Sequence, residues 1–361
     1  MRMALWHEGG LGDVIDSAHL AIALRRAYQP DYLVYYLRRP IQNDLAFCLH
    51  YDGKPIFDAT IQTDIPWEEC VSSEACRWDR FIDWRPYIPI EYESLKSGEP
   101  SSGKTHRART KGLPSLWEEC YRELLRGPAI NLLHGEQASL HEIACTALGI
   151  PTADIEDMEI AEHLPVRLQY RWLAKRPFLT LGTGSDAQTG VRLRQTKEWA
   201  DAKWAEVIRL LKERRPDVRV IQVGKRGETR IPGTLCLLGR TTIAELLWLL
   251  KASRLHMACE NGTVRIAKAC GTDSVVVFGP TSHHLYGLPG NVVVRTPACE
   301  PCNHRTREWM TKCPNQWNAL CMVSVAPNAF VQAVCDRLDK QDALLNHDAT
   351  PGRIPEIQHD T

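Results

Sequence analysis

The chain has no excess of either charge, no apolar run long enough to span a bilayer and no recognisable secretory leader. Lysine and arginine together total 44, as do aspartate and glutamate, so the formal net charge is zero. Nucleic-acid binders draw their affinity from a basic surface, so this balance predicts that no nucleic acid is a partner. We expect a soluble, cytoplasmic protein without a transmembrane segment, for which peripheral contact with a membrane stays open.

The 13 cysteines are odd in number and mostly scattered along 361 residues. A chain of this length can build two ordinary cores and needs no disulfide scaffold. Four cysteines differ because they share one short window: Cys299, Cys302, Cys313 and Cys321. Four thiolates at such spacings can form a tetrahedral site for iron or zinc, and the alternative is four reduced thiols packed in a loop. We favour a structural metal ion, and we interpret His283, His284 and His304 as surface or cleft residues.

Helix and strand patterns divide the chain into two α/β regions. The first, 1–170, opens with a strand at Met3–Trp6, a glycine turn and a helix from Val14 to Tyr28, and "DYLVYYLRR" predicts a second strand. Residues 65–114 have the polar, proline- and serine-containing composition of a loop. We interpret them as a solvated insertion, the alternative being a loop that bears on a substrate cleft. Residues 160–175 are predicted to form a linker.

The second region, 171–330, alternates more clearly between strands and helices. Its strands are predicted from "PFLTLGTG", "VRVIQVG", "RLHMACENG" and "SVVVFGP", and its helices from "KWAEVIRLLKERRP", "TTIAELLWLLKAS" and "TVRIAKACG". This alternation predicts a doubly wound parallel sheet that binds ligands beyond the carboxyl ends of its strands. Four loops would converge there: Gly182–Ser185, Gly224–Glu228, Glu260–Thr263 and Gly279–Ser282. The last segment, 331–361, is predicted to be a C-terminal helix and a flexible tail.

The opening turn, "GGLGDVID", is not a dinucleotide fingerprint. It lacks the G-x-G-x-x-G spacing, because Ile15 and Asp16 stand where the last small residue should close on the sheet. A plain tight turn stays possible, and Asp13 could simply favour the positive end of the helix dipole. Asp13 also follows Gly10 and Gly12, which would keep the floor of a cleft open. Its carboxylate could therefore take a proton from a sugar hydroxyl.

The second region contains a candidate phosphate site. Glu260–Thr263, "ENGT", joins a strand to a helix, and its amides with the Thr263 hydroxyl could hold a diphosphate at the helix N-terminus. Lys197, in "QTKEW", would neutralise phosphate charge as it develops. Glu228, in "VGKRGE", could accept hydrogen bonds from both ribose hydroxyls. Any one of these residues could equally be an ordinary surface charge, and their shared position at one sheet edge favours a site.

Taken in order, "GGLGDVID", "TKEW", "VGKRGE", the stretch from Leu237 to Ser282 and "CEPC…C…CM" resemble glycosyltransferase family nine, the bacterial heptosyltransferases. The resemblance covers the first 25 residues and most of 171–325, and it is thin across 40–135. It implies the GT-B fold, in which two Rossmann-like domains face each other across a cleft. It also implies transfer of heptose from ADP-heptose with inversion and without a catalytic metal. The cysteine window is similar to the iron-binding finger of heptosyltransferases that modify autotransporter proteins.

The resemblance also implies roles for individual residues. Asp13 becomes the general base, in an acceptor loop with Gly10 and Gly12, while Lys197 becomes a diphosphate ligand and Glu228 the ribose ligand. The other implied donor-binding positions are Thr183, Glu260, Asn261, Gly262, Thr263 and Arg265. Glu260 stands where the family has an aspartate that contacts the donor sugar, and Arg265 replaces the usual histidine, so the identity of the sugar stays open.

The function expected from the sequence is inverting sugar transfer, with ADP-heptose as donor. The acceptor is a hydroxyl of a lipopolysaccharide core, a protein or a small molecule. One alternative is a metal-bearing interaction protein on a catalytically degenerate GT-B scaffold, which the changed donor loop would favour. Another is a nicotinamide-dependent oxidoreductase, against which the missing fingerprint argues. The sequence contains no feature from which an oligomeric state follows.

Overall fold

A computed structural model describes residues 1–7, 9–64, 77–84, 89–94, 106–109, 138–173, 175–184, 196–303, 305–306 and 308–348. The strands are β1 (Arg2–Trp6), β2 (Tyr32–Leu37), β3 (Leu49–Tyr51), β4 (Lys54–Pro55), β5 (Ala59–Gln62), β6 (Arg80–Asp83), β7 (Ile90–Ser94), β8 (His106–Arg109), β9 (Glu159–Ile160), β10 (Phe178–Gly182), β11 (Arg219–Val223), β12 (Leu235–Cys236), β13 (His256–Cys259), β14 (Ser274–Val277) and β15 (Val292–Val294). The helices are α1 (Leu11–Tyr28), α2 (Pro40–Ala46), α3 (Leu140–Leu148), α4 (Leu168–Leu173), α5 (Asp201–Arg214), α6 (Ile243–Ala252), α7 (Gly262–Ala269), α8 (His283–Tyr286), α9 (Leu320–Val323) and α10 (Pro327–Asp348), with a short 3-10 helix at Ile155–Asp157.

The sheet of the first half is only partly parallel. Its strand order is β5-β2-β1-β6-β7-β8, with parallel pairing from β5 to β6 and antiparallel pairing from β6 to β8. The interpretation of 65–114 as a solvated insertion is therefore wrong for β6, β7 and β8, which extend the sheet. Phe81 and Ile82 of β6 are fully buried. These strands are short and separated by polar stretches, which gave the segment the composition of a loop.

The sheet of the second half is parallel throughout, as predicted. Its order is β12-β11-β10-β13-β14-β15, and β10 lies between β11 and β13. The order reverses direction beside β10, so a crevice opens at the carboxyl ends of β10 and β13. Among the elements that the sequence did not predict, β15 precedes the cysteine window, and α4 lies within the predicted linker 160–175. The predicted C-terminal helix begins earlier, at Pro327, and 349–361 lie outside the described residues.

Local sequence explains where the helices that border the crevice begin. Thr242 caps α6: its hydroxyl accepts the Glu245 amide, while the Glu245 carboxylate accepts the Thr242 amide, so each residue satisfies a free N–H of the other. Asn261 caps α7 by accepting the Thr263 amide at 2.9 Å. Of the described helices, none combines the length and the apolar character that crossing a bilayer requires.

The two halves share part of their apolar core. The cluster around α1 and β1 also contains Leu247 and Leu250 of α6 and Ile266 of α7. A second cluster lies under β10 and β13 and includes Trp204 of α5 and Phe330 of α10. Packing between the halves therefore places the N-termini of α1 and α7 side by side.

Candidate active site

A cavity of about 650 Å³ lies between the halves, at the carboxyl ends of β1, β6, β10 and β13. It is lined by nearly all of the predicted acceptor, catalytic and donor residues: Gly10, Gly12, Asp13, Lys197, Glu228, Glu260, Asn261, Gly262, Thr263 and Arg265. Thr183 is absent from the lining and is buried behind it, where its hydroxyl accepts from Gln222 Nε2 at 3.3 Å. The structure thus brings predicted residues of both halves of the chain to one cleft.

Two glycines allow α1 and α7 to meet at the centre of this cleft. A Cβ on Gly12 would lie 2.8 Å from Gly262 Cα, and a Cβ on Gly262 would lie 2.9 Å from the Gly12 nitrogen. Both distances are shorter than real carbon contacts, and the atoms they involve are backbone, so a side chain at either position would push the helices apart. Gly12 and Gly262 must therefore lack side chains for the two halves to make this contact.

Asp13 serves the start of α1 and faces the cavity. Its Oδ2 accepts the Gly10 amide at 2.5 Å, while Oδ1 lies 3.8 Å from His7 Nε2. The His7 ring stacks on Trp84 at 4.9 Å between centroids. The helix-cap interpretation of Asp13 and the general-base interpretation are thus compatible, because each uses a different carboxylate oxygen.

Charged side chains form a continuous chain across the cleft. Lys197 Nζ lies 2.6 Å from Glu260 Oε2, Arg265 Nη1 lies 3.6 Å from Glu260 Oε1, and Arg265 Nε donates to Asp16 Oδ2 at 2.6 Å. Burial by itself would raise the pKa of Glu260, but Lys197 and Arg265 outweigh it and lower that pKa. Burial raises the pKa of Asp16 against the opposing effect of Arg265, and the Asp13 charge adds to the increase.

Glu228 occupies a recess made by two glycines. A Cβ on Gly184 or on Gly224 would come within 2.5 Å or 2.4 Å of the Glu228 carboxyl group, so both positions must lack a side chain for this carboxylate to fit. Its Oε1 accepts the Lys225 amide at 2.8 Å. Burial raises the pKa of Glu228, an effect that the Lys225 amide partly opposes. A carboxylate here can accept hydrogen bonds from the hydroxyl groups of a ligand in the cavity.

The loop before α7 is held from behind by a buried histidine. His256 Nε2 lies 2.8 Å from Thr263 Oγ1, and that hydroxyl donates to Asn261 Oδ1 at 2.7 Å, so the imidazole must donate to Thr263. Thr180 Oγ1 lies 3.0 Å from His256 Nδ1 on the other side of the ring. Burial lowers the pKa of His256 to about 3, which keeps the ring neutral. The Thr263 amide and hydroxyl proton thus serve the loop itself, and Gly262 stands at the start of α7 facing the cavity.

The four cysteines of the window lie near one another. Cys299, Cys302 and Cys321 are buried and Cys313 is half-buried. Burial, with the neighbouring Cys299 and Cys313 thiols, raises the pKa of Cys302 to about 11. Burial would also raise the pKa of Cys313, but backbone amides of the turn after it, including those of Ala319 and Trp317, lower it. No group of three or more His, Cys, Asp or Glu side chains within the described ranges has a geometry that could hold a metal ion, so the four-cysteine metal site is not confirmed.

His283 and His284 lie outside the cavity lining. His283 is half-buried and His284 is exposed, with their rings 4.0 Å apart. His304 lies outside the described residues. The residues that sequence reasoning missed are Asp16, His7, Trp84 and Trp309, all of which line the cavity. Of these, Asp16 had a signal in the sequence, because it follows Asp13 by three residues and shares its helix face.

Residues 138–313 match the sequence profile of glycosyltransferase family 9 (heptosyltransferase). This segment is therefore similar to the family 9 domain. The match supports the resemblance read from the sequence and contains the predicted donor residues, whereas Asp13 lies before it. A comparison with curated proteins finds no match.

Solved structures of low sequence identity share the fold. ADP-heptose lipopolysaccharide heptosyltransferase II of E. coli is 14% identical, with a TM-score of 0.55 and coverage of 95% of this chain and 100% of its own. A family 9 glycosyltransferase from Veillonella parvula is 12% identical, with a TM-score of 0.54 and coverage of 94% and 97%. The iron-containing, dodecameric heptosyltransferase TibC of enterotoxigenic E. coli, bound to ADP-D-β-D-heptose, is 15% identical, with a TM-score of 0.60 and coverage of 94% and 76%. These likenesses confirm the predicted α/β GT-B fold class.

Proposed function

We propose that the protein is an inverting glycosyltransferase that moves heptose from ADP-heptose to an acceptor hydroxyl. The observation that carries the proposal is that Asp13 of one half and the Lys197–Glu260 pair of the other line the same cavity. The family 9 match supports sugar transfer in general. Two of the similar solved structures, an ADP-heptose heptosyltransferase and a heptosyltransferase bound to ADP-D-β-D-heptose, support this choice of donor.

The donor would occupy the second half of the chain, 171–330. Glu228 would accept the ribose hydroxyls, since its carboxylate lies in a recess of the cavity wall. The diphosphate would lie at the N-terminus of α7, where the Gly262 backbone and the helix dipole favour negative charge. Lys197 would supply the compact cation beside it, sharing its charge between Glu260 and the phosphate oxygens.

The acceptor would bind the first half, 1–170, beside His7 and Trp84. Asp13 takes the proton of the acceptor hydroxyl as its oxygen bonds to the anomeric carbon, and the bond from that carbon to the diphosphate oxygen breaks. The electron pair leaves with the diphosphate, whose charge Lys197 stabilises. Attack from the face opposite the leaving group inverts the configuration. None of these steps requires a metal ion. Candidate acceptors are a lipopolysaccharide core sugar, a protein hydroxyl and a small molecule, and a bacterial cytoplasm would supply the donor.

Thermal denaturation with ADP, UDP, GDP and NAD, followed by mass spectrometry of reactions with ADP-heptose and each acceptor class, tests the proposal. Stabilisation by ADP and a heptose mass increment on an acceptor are expected. Stabilisation by NAD alone would replace the proposal with an oxidoreductase. The pairing of Lys197 with Glu260 favours a second candidate, a degenerate scaffold acting as an interaction protein, because this ion pair occupies the charge that a diphosphate would need. Absence of a response to all four nucleotides would support that candidate.

A structural iron or zinc ion at the four cysteines is part of the proposal. What supports such an ion is the chemistry of the side chains: four cysteines, three of them buried, lie in one short segment, and thiolates are ligands that zinc and iron favour. An ion bound by four thiolates has no open coordination position, so its contribution would be to hold this segment in place. TibC, which shares the fold, contains iron, and this supports iron as the metal.

A further inference from the structure

The cysteine window contacts the loops that form the cavity. Near its start, the Cys302 and Asn303 amides both donate to the Pro280 carbonyl, at 2.8 and 2.9 Å. Pro280 immediately precedes Thr281, which lines the cavity. Between Cys302 and Cys313 the chain therefore returns to the donor side of the cleft.

A second attachment lies at Thr196, the residue before Lys197. The Thr196 hydroxyl donates to the Trp309 carbonyl at 2.7 Å, and its amide donates to the Met310 carbonyl at 3.3 Å. Thr196 is buried, so these two bonds are shielded from water. They fix the backbone from which the Lys197 side chain extends.

Trp309 then completes the surroundings of Lys197. Its side chain is buried and forms part of the cavity wall, with its ring centroid 5.9 Å from Lys197 Nζ. This distance is within the range of a cation–π interaction. Lys197 therefore has the Glu260 carboxylate on one side and the indole ring near it, and a long side chain that would otherwise sample many rotamers is confined to the cavity.

We propose that Trp309 and Thr196 are positioning residues that hold Lys197 in the orientation in which it meets the donor diphosphate. The inference rests on the proposed function, because it assigns a ligand to Lys197. It also gives the cysteine window a role in the site, because Trp309 and Met310, between Cys302 and Cys313, form part of the wall of the proposed donor cavity.

Two pairs of variants test the inference against a control from the same window. Trp309→Leu removes the ring and Trp309→Phe keeps a smaller one, while Thr196→Val removes the hydroxyl donor and Thr196→Ser keeps it. Trp317→Leu is the control, since Trp317 lies in the same window but is exposed and outside the cavity lining. The measurements are the Kd of ADP by calorimetry and the rate of Lys197 acetylation by acetic anhydride, followed by mass spectrometry.

We expect Trp309→Leu and Thr196→Val to weaken ADP binding by about tenfold, the scale of a partly desolvated cation–π contact. Both variants should also speed Lys197 acetylation. Thr196→Ser and Trp317→Leu should keep ADP affinity and acetylation rate near wild type, and Trp309→Phe should give intermediate values. Unchanged ADP affinity and unchanged acetylation in both Trp309→Leu and Thr196→Val would overturn the inference. If Trp309→Leu does not fold, the Thr196 pair decides.

The acetylation rate separates this inference from the proposed function. A wild-type protein that binds no ADP would contradict the donor assignment, and the positioning of Lys197 is then judged by acetylation without nucleotide. Faster acetylation in Thr196→Val but not in Thr196→Ser would support positioning. Equal rates in the two variants would refute it.

Discussion

Asp13 has a structural role and a proposed chemical role in one carboxylate. One of its oxygens accepts the Gly10 amide at the start of α1, and the other lies near His7 at the cavity wall. A substitution that keeps the hydrogen bond from the Gly10 amide and removes the basic carboxylate would therefore separate the two roles. Asparagine has this property, because its side-chain oxygen can still accept the Gly10 amide.

We expect Asp13→Asn to lower turnover by about a hundredfold or more, the usual size of a general-base contribution. ADP affinity and melting temperature should change little, since the cap is kept and the nucleotide would bind the other half. Steady-state kinetics and calorimetry measure the two effects, and Asp52→Asn, on an exposed turn, is the matched control. Near wild-type turnover in Asp13→Asn would remove Asp13 from the mechanism.

Glu228 predicts a pH dependence of nucleotide binding. Only its ionised form can accept both ribose hydroxyls, and burial raises its pKa, so protonation begins at a higher pH than for an ordinary glutamate. ADP affinity should fall as the pH is lowered from 8 towards 5. Glu228→Gln should bind ADP about tenfold more weakly at pH 8, the scale of one lost charge-assisted hydrogen bond, and should lack this part of the pH dependence. The titration of ADP itself affects wild type and Glu228→Gln alike. If ADP affinity changed equally with pH in both proteins, the assignment of Glu228 to the ribose would be contradicted.

At the scale of elements, the cysteine window has little apolar content between its second and third cysteines, "NHRTREWMTK". Its order therefore depends on its ends and on hydrogen bonds to Pro280 and Thr196. A metal ion would supply the local stabilisation that an apolar core supplies elsewhere.

We expect elemental analysis of protein purified without chelator to find about one iron or zinc ion per chain, given four thiolate ligands. Cys302→Ser should lose the metal and increase hydrogen exchange in the window before the rest of the chain. Cys335→Ser, outside the window, should keep it. Metal-free protein whose four thiols all react freely in the native state would leave these cysteines as ordinary reduced residues.

The sequence was informative where local pattern and spatial position coincide. Alternating strands and helices predicted the parallel sheet, and with it the meeting of Glu228 and the loop before α7, because loops at the carboxyl ends of neighbouring strands lie together. Asp16 and Arg265 are 249 residues apart, and no local pattern relates them. No local pattern indicates that Trp84 or Trp309 belongs to the site. Each reaches the cavity from a strand or turn that is short or polar in sequence.

At the scale of the whole molecule, the halves are joined by ion pairs, one of them buried, as well as by the glycine contact. Arg265 of α7 pairs with Asp16 of α1, and Lys268, one turn further along α7, pairs with Glu156 of the first half at 2.7 Å. Removing one partner of a buried pair leaves an uncompensated charge, which costs about 3–5 kcal/mol.

Arg265→Met should therefore lower the free energy of unfolding by about 3 kcal/mol. The double variant Arg265→Met/Asp16→Asn should recover part of this loss, because the unpaired carboxylate is gone. Urea denaturation of both variants and of Lys340→Met, an exposed control, measures the effect. Additive losses in the double variant would show that the Asp16–Arg265 pair does not join the halves energetically.

In the mixed sheet of the first half, the position of Asp13 and the proposed acceptor wall near Trp84 depend on different strands. The strand that precedes Asp13, β1, is paired on both sides with parallel neighbours, so the proposed base follows an interior strand of the sheet. Trp84 directly follows β6, where the sheet turns antiparallel and continues into β7 and β8 as an appended edge. Substitutions and length changes in that appendage can reshape the acceptor wall while the base keeps its position. The topology thus allows new acceptors to be acquired in evolution, or by engineering, without redesign of the catalytic step.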